Sequence, residues 1–442
     1  SKNFYNDLPI NRAEEFFVLQ TGDPKGDDIG YIDPETNKER HVPLEIRVPG
    51  EPETFYNETF EDLGFYTETP TLPFATLGTL GWSHSNEAVN DGSSQFFFFL
   101  YETSLHSKEV KLIKILDGLN SPWSLTFIDL NKVAVTEKSG NLLTINLENK
   151  TIKKIKHNLN ILEDGQGGLL DILYLNGTIW VSYSEDRGQG KSSTSIAKGT
   201  YNDEEIKFKN IFRAEPSIDS GYHFGSRLVI KDNYLFASVG ERGQGMIAQD
   251  PTQHPGSIIR IHLDGSIPKD NPKFKGKDNW LPEIYQIGVR NPQGMALSPF
   301  DQKIYLSNHG AKGGDWFGTA NFGENYGWKV LGWGGTNYSG TKIGAKWKSG
   351  FTKAIHYWVP SIAVSAITIY KGKEFSEWNG HALITSLKDQ SLRKLIFSDN
   401  KSSREDIIFK RKIGRIRDIK VEEKTGKIYL LSDEGSFWKL KK

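Results

Sequence analysis

The residues best equipped for chemistry stand at the edges of strand-like runs. His223 lies in "GYHFGSRL", residues 221–228, between two aromatics and ahead of "LVIKDNYLFASVG", which alternates like a β-strand. An imidazole titrates near neutrality, so at the mouth of a cavity it can take a proton from a hydroxyl; among aromatics it can equally be a satisfied core side chain. Just ahead of other such runs stand Gln166 in "DGQGGLLDI", Arg290 and Asn291 in "GVRNPQGMAL", and Arg415 and Arg417 in "GRIRDIKV". Just beyond them stand "HGAKGGD", 309–315, and Lys388 in "SLKDQSL". These cations, amides and glycines suit a small, multiply anionic ligand, because guanidinium and ammonium groups bind carboxylates through charge-assisted hydrogen bonds. Taken singly, each has a plainer use: Arg415 and Arg417 can pair with Asp418 or neighbouring acids, and glycine marks ordinary turns.

Their placement along the chain favours a site. From about residue 120 one unit recurs: a turn, an alternating strand, a polar or glycine break, and a second strand ending in small and polar residues. Copies begin at 121, 167, 225, 292, 361 and 414. Their spacing is close to, or above, the roughly 40–50 residues of a four-stranded propeller blade, with insertions expected in the longer intervals. The expected fold is an all-β, six-bladed β-propeller. A two-sheet sandwich is the runner-up, but it does not require six similar hairpins in tandem. In a hairpin the start of the first strand and the end of the second lie at the same end. The residues named above therefore converge on one end of the ring.

Composition agrees with this class. The 44 glycines, 11 tryptophans and 25 phenylalanines, against two methionines, favour short strands and tight turns. Residues 1–104 hold 6 Lys+Arg against 19 Asp+Glu in a chain of zero net charge, so the remainder is basic and the chain reads as two pieces. Neither piece has dense Lys/Arg tracts, so no nucleic-acid partner is expected. The chain has no cysteine, which excludes disulfides, thiolate metal sites and a cysteine nucleophile. Its longest purely apolar run, "FFFFL", is far below the roughly 20 residues of a membrane span. The start at Ser1 fits a removed leader or a trimmed chain. "DRGQG", 186–190, and "ERGQG", 241–245, lack the ending of a phosphate loop and read as blade turns.

In the order "SPWSLTF", "DGQGGLLDI", "HFGSRL", "GVRNPQGMA", "HGAKGGD", "NYGW", "PSIAVS", "SLK" and "GRIRD", residues 110–442 resemble the glucose/sorbosone dehydrogenase family, the soluble pyrroloquinoline quinone (PQQ)-dependent aldose sugar dehydrogenases. The resemblance implies oxidation of an aldose to a lactone by hydride transfer from the anomeric carbon to PQQ, with His223 as general base. Arg290 would stabilise the quinone oxygen, and Ca²⁺ would be held by PQQ and the backbone oxygens of Gly310 and Ala311. Gln166, Asn291, Lys388, Arg415 and Arg417 would bind PQQ. It further implies an aldose substrate, a separate electron acceptor and a periplasmic or otherwise exported location. Tyr222 stands where some members carry aspartate, which leaves the partner that orients the base to be found. Trp316 and Lys329 also depart from the pattern, so no second calcium is expected near Asp315 and Tyr326.

The acidic residues 1–104 resemble another family, the cyclophilin-type peptidyl-prolyl isomerases, through "INRAEEFFVLQTGDPKG", "VPLEI", "LPFATLGTLGWSH" and "DGSSQFFF". That likeness implies a catalytic Arg12, a proline pocket of Phe17, Gln20, Gln95 and Phe97, and proline-containing peptides as partners. The strands that open and close such a barrel are expected to be missing, making this a partial cyclophilin-like domain, followed by a linker at 105–109. Two alternatives to the sugar dehydrogenase stay open here: a non-catalytic binding propeller, and an isomerase as the main activity.

Overall fold

The computed structural model describes residues 110–272, 280–398 and 401–442, together with Asn37 and six short strands among the first hundred residues. The chain divides into two compact units, Ser1–Ser107 and Lys108–Lys442. In the first, strands Ile10–Glu14, Val18–Thr21, Phe96–Phe99 and Leu80–Trp82 form one antiparallel sheet in that order, and Glu45–Arg47 pairs with Thr54–Tyr56. Arg12 is the register partner of Gln20, and Gln20 of Phe97. Three of the expected isomerase-pocket residues thus share one cross-strand row; Phe17 and Gln95 lie outside the described residues.

The second unit is the expected six-bladed propeller. Each blade is built on four antiparallel strands, in chain order in the first five, and Glu205–Ile206 extends the blade 1 sheet by pairing in parallel with Ile152–His157. Blade 1 is built from Pro122–Phe127, Lys132–Glu137, Leu142–Asn146 and Ile152–His157. Blade 2 follows with Leu169–Leu175, Thr178–Asp186, Ser192–Thr200 and Lys209–Arg213. Blade 3 comprises Gly225–Lys231, Tyr234–Val239, Ser257–His262 and Ile284–Ile287. Blade 4 has Pro292–Leu297, Ile304–Asn308, Asp315–Thr319 and His356–Trp358. Blade 5 has Val364–Ile369, Ala382–Ser386, Ser391–Ser398 and Lys401–Lys410. The expected insertions fall between the third and fourth strands of blades 3 and 4, at 263–283 and 320–355.

Closure of the ring was not legible in the repeats. Blade 6 runs Ile416–Val421, Ile428–Ser432 and Phe437–Lys441, and its outer strand is Lys111–Leu116, from the start of the unit. The two ends of the propeller are therefore joined in one sheet. Six hydrophobic clusters sit between successive blades, the sixth joining Leu125, Val133 and Val135 of blade 1 to Tyr429, Leu431 and Phe437 of blade 6. The second strands are buried along almost their whole length because a neighbouring blade covers each face.

One local feature recurs six times and sets up the site. The pairing of the innermost strand slips near its start in each blade: Pro122/Ser124, Leu169/Ile172, Gly225/Leu228, Pro292/Gly294, Val364/Ile367 and Ile416/Asp418. A bulge leaves a residue unpaired and re-aims its side chain. Trp123, Arg227, Gln293 and Arg417 fall within these bulges, and they meet. The Arg227 guanidinium lies 4.2 Å over the Trp123 ring, its Nε donates to the Gln293 carbonyl at 2.7 Å, and Arg417 Nη1 donates to Gln293 Oε1 at 2.6 Å. Buried Arg227 also pairs with Asp418 at 2.8 Å and Asp171 at 3.2 Å, while Ser124 Oγ links those two carboxylates. Polar side chains thus tie five blades together along the channel.

Candidate active site

His223 sits in the turn that enters blade 3, with φ +52°. That left-handed backbone needs support from its neighbours. Its N–H donates to Gln166 Oε1 at 3.0 Å, and the same oxygen accepts from Asn291 Nδ2 at 3.3 Å. Asn291 Oδ1 in turn accepts from the Gly225 N–H at 3.0 Å. Blades 2, 3 and 4 therefore converge on the histidine as the hairpin geometry requires. Gly240 is needed for close approach, because a Cβ there would lie 2.0 Å from the His223 carbonyl oxygen.

The imidazole is oriented by a residue that sequence reading missed. His223 Nδ1 hydrogen-bonds Glu241 Oε1, and the other carboxylate oxygen accepts from the Gly245 N–H. "ERGQG" is still a turn, but the reading of it as only that is corrected: its first residue is the partner of the His223 imidazole. Burial lowers the His223 pKa, with Arg290 and Arg242 in the same direction and Glu241 opposed. For Glu241, burial acts upward, but His223, the Gly245 N–H and Arg290 prevail and hold the carboxylate below its ordinary range. With a carboxylate as its partner, Nδ1 carries the proton and Nε2 presents a lone pair.

Arg290 lies beside this pair. It is buried, with no carboxylate of the described residues at ion-pair distance; its Nη1 donates to the His309 carbonyl at 3.5 Å, and the Tyr338 hydroxyl, on a 75% exposed side chain, lies against it. His309 Nε2 is buried without a hydrogen-bond partner among the described residues, and burial, with Arg290, Arg417 and His223, pushes its pKa down to about 3. The loop that follows is pinned by Asp315, which accepts from the Gly310 N–H and Ser361 Oγ, both at 2.8 Å. Among the described residues the Gly310 and Ala311 carbonyls accept no hydrogen bond.

Arg415 and Arg417 also stand at this end, and Asp433 holds both. It receives Arg417 Nε at 2.7 Å and Nη2 at 2.9 Å, and Arg415 Nε at 3.0 Å. Asp418, the partner considered from the sequence, is instead taken by Arg227. Lys388 is exposed just beyond the second strand of blade 5. A further cation, Lys138, joins from blade 1; its Nζ donates to the Gly165 carbonyl at 2.7 Å, and burial and Arg417 lower its pKa. Lys138, Glu241 and Asp433 all lie one or two residues past the end of a second strand, as do His309, Gly310 and Lys388. Applying that offset to every repeat would have found all three.

A planar quinone tricarboxylate fits these residues. Among the described residues Arg290 is a buried cation with no acid at ion-pair distance, His309 Nε2 is a polar atom without a partner, and the Gly310 and Ala311 carbonyls accept no hydrogen bond and could serve a hard cation. Three cations, Lys138, Arg415 and Arg417, gather around one internal carboxylate, Asp433, and Lys388 stands exposed past the second strand of blade 5. Trp123, Leu170 and Phe224 add an apolar patch.

Fold and site define a class: a six-bladed propeller that brings a histidine–carboxylate pair and several cationic side chains to one end of its blades. Within it, the pattern of Glucose / Sorbosone dehydrogenase matches residues 119–439, and the chain belongs to that family. It is 35% identical over 333 residues to the aldose sugar dehydrogenase YliI of Escherichia coli, covering 72% of this chain and 89% of that protein. Quinoprotein glucose dehydrogenase B of Acinetobacter calcoaceticus is 30% identical over 316 residues, 62% of this chain and 63% of that protein. The crystal structure of the soluble aldose sugar dehydrogenase of Escherichia coli in the apo form matches with a TM-score of 0.71 at 33% identity, covering 75% of this chain and 99% of that one.

Residues 1–119 match the Cyclophilin type peptidyl-prolyl cis-trans isomerase/CLD family. A putative thylakoid lumen peptidyl-prolyl cis-trans isomerase of Synechocystis is 46% identical over 104 residues, 24% of this chain and 27% of that protein, so the likeness spans about a quarter of that relative. The family match extends beyond residue 104 and the expected break at 105–109, and takes in Lys111–Leu116, the strand that completes blade 6.

Proposed function

We propose that the propeller oxidises the anomeric carbon of aldose sugars to lactones, with PQQ as resident cofactor and Ca²⁺ beside it. The hydrogen bond from His223 Nδ1 to Glu241 carries this reading, because it leaves a neutral imidazole with Nε2 available to take the proton of the anomeric hydroxyl. When bound, PQQ supplies the two-electron acceptor for the sugar carbon. The quinoprotein name of the Acinetobacter relative supports that choice. Arg290 would offer a fixed positive charge where negative charge develops, which needs no reorganisation during the reaction. Lys388, Arg415, Arg417, Gln166 and Asn291 would hold the cofactor, with Lys138 and Gln293 added, and the Gly310 and Ala311 carbonyls would hold calcium.

Electrons must then leave to a separate acceptor. For the first unit, the row Arg12, Gln20 and Phe97 supports a peptidyl-prolyl isomerase as a second activity on proline-containing peptides. Among the described residues no helix is long and apolar enough to cross a membrane. The lumenal relative of the first unit supports an exported location. Dye reduction by apo-protein loaded with PQQ and Ca²⁺ tests the dehydrogenase; absence of aldose-dependent turnover would overturn it.

A further inference from the structure

Arg242 follows Glu241 and turns the opposite way. Its side chain is only 1% exposed, yet no carboxylate of the described residues lies within ion-pair distance. Its donors go instead to one neighbouring segment and the strand beneath it. Nε donates to the Tyr222 carbonyl at 2.9 Å, Nη1 to the Ser192 carbonyl at 2.8 Å, and Nη2 to Ser192 Oγ at 3.0 Å and to the Ser220 carbonyl. The guanidinium lies 3.7 Å over the Phe224 ring, and the Arg242 N–H donates to the His223 carbonyl at 3.3 Å. Burial lowers its pKa to about 10, against Asp164 and Glu241.

A buried cation without an acid at ion-pair distance among the described residues must be compensated by hydrogen bonds, and here the acceptors are the carbonyls of Ser192, Ser220 and Tyr222. The segment that it binds is otherwise held from blade 2, where the Gln166 N–H donates to the Gly221 carbonyl at 2.7 Å and Gln166 Oε1 accepts from the His223 N–H; Tyr222 is 62% exposed, and both His223 and Arg242 have left-handed backbones, with φ +52° and +56°. Such backbones persist only when surrounding contacts over-determine them. A guanidinium suits that task because its rigid fork of donors reaches several carbonyls at once.

We propose that Arg242 is a positioning residue for the base, fixing residues 220–223 from below so that the His223 imidazole meets Glu241 in one orientation. Glu241 sets the ring and Arg242 sets the backbone that carries it. This inference rests on reading His223 as the base, and the test separates the two.

Arg242→Gln, Arg242→Lys and a control, Arg393→Gln, serve as variants; Arg393 is buried and bound to Asp389 and Glu405 in blade 5. In apo-protein, NMR of the histidine side chains reads the tautomer and titration of His223, which faces Glu241, Arg290, Arg242 and His309. In wild type the proton is expected on Nδ1 with a pKa below 6.5; Arg242→Gln is expected to mix the tautomers and raise the pKa, and the control to change neither. In loaded enzyme, kcat is expected to fall roughly 10- to 100-fold at unchanged KM and PQQ affinity, with partial recovery in Arg242→Lys. An unaltered His223 signal in Arg242→Gln overturns the proposal, as does a kcat loss no larger than in the control. If Arg242→Gln does not fold, Arg242→Lys decides by the same signal. If wild type shows no turnover, the function reading fails while the apo-protein arm still decides this one.

Discussion

Glu241 hydrogen-bonds His223 Nδ1 with one carboxylate oxygen and receives the Gly245 N–H with the other. The group that orients the imidazole is thus itself held in place, and it keeps the ring in the tautomer a base requires. Because Glu241 raises the His223 pKa and burial lowers it, Glu241→Gln moves that pKa further below 6.5. The acid limb of kcat/KM should therefore shift to lower pH while the plateau drops about 10- to 1,000-fold, as expected for a weaker, less well oriented base. A pH profile over pH 4–9 checks both; an acid limb moving upward would contradict the electrostatic assignment.

The close approach of Gly240 to His223 predicts a loss from one methyl group. A Cβ at Gly240 would lie 2.0 Å from the His223 carbonyl oxygen. Gly240→Ala must displace the segment, and a shift of about 1 Å costs on the order of 100-fold in turnover. Steady-state kinetics on loaded enzyme measure it; PQQ affinity should change much less than kcat.

Asp433 neutralises part of the charge of Arg415 and Arg417. Burial acts to raise its pKa, but Arg417 and Arg415 hold it below the ordinary carboxylate range. Arg417→Ala should weaken PQQ binding by about 100-fold or more, since a buried charged hydrogen-bond partner is lost and Asp433 is left less paired. Lys388→Ala, at an exposed site, should cost about tenfold or less. Fluorescence titration of apo-protein with PQQ ranks the two, and a larger effect at Lys388 would contradict the arrangement.

Blade 6 depends on Lys111–Leu116. A chain beginning at Lys108 should fold as a propeller, whereas one beginning at Ser121 loses the outer strand and the packing of Leu112, Ile115 and Leu116. Denaturant unfolding should show the second less stable by about 3–6 kcal/mol, from the apolar surface exposed. Equal stability would mean that the strand is dispensable.

Much of this architecture was legible because blades repeat. Two strands of each copy carry clear alternation, and hairpin geometry then places His223, Gln166, Arg290 and Arg417 at one end. Lys111–Leu116 was not recognised as part of a blade because it is a single strand whose partners lie at the far end of the chain. Glu241 and Asp433 were missed for a different reason: an acid in a turn has a local use, and only its distance from a second-strand end marks it. The bulges that turn Gln293 and Arg417 toward each other leave no pattern in residue type, since tryptophan, arginine and glutamine all occupy them.

Replacement of His223 tests the proposed base of a PQQ-dependent aldose dehydrogenase most directly. Apo-protein loaded with PQQ and Ca²⁺ should reduce a dye only when an aldose is present. His223→Asn should retain PQQ affinity within a few-fold while losing about 100- to 10,000-fold in kcat. Aldose-dependent turnover that survives undiminished in His223→Asn would contradict the account.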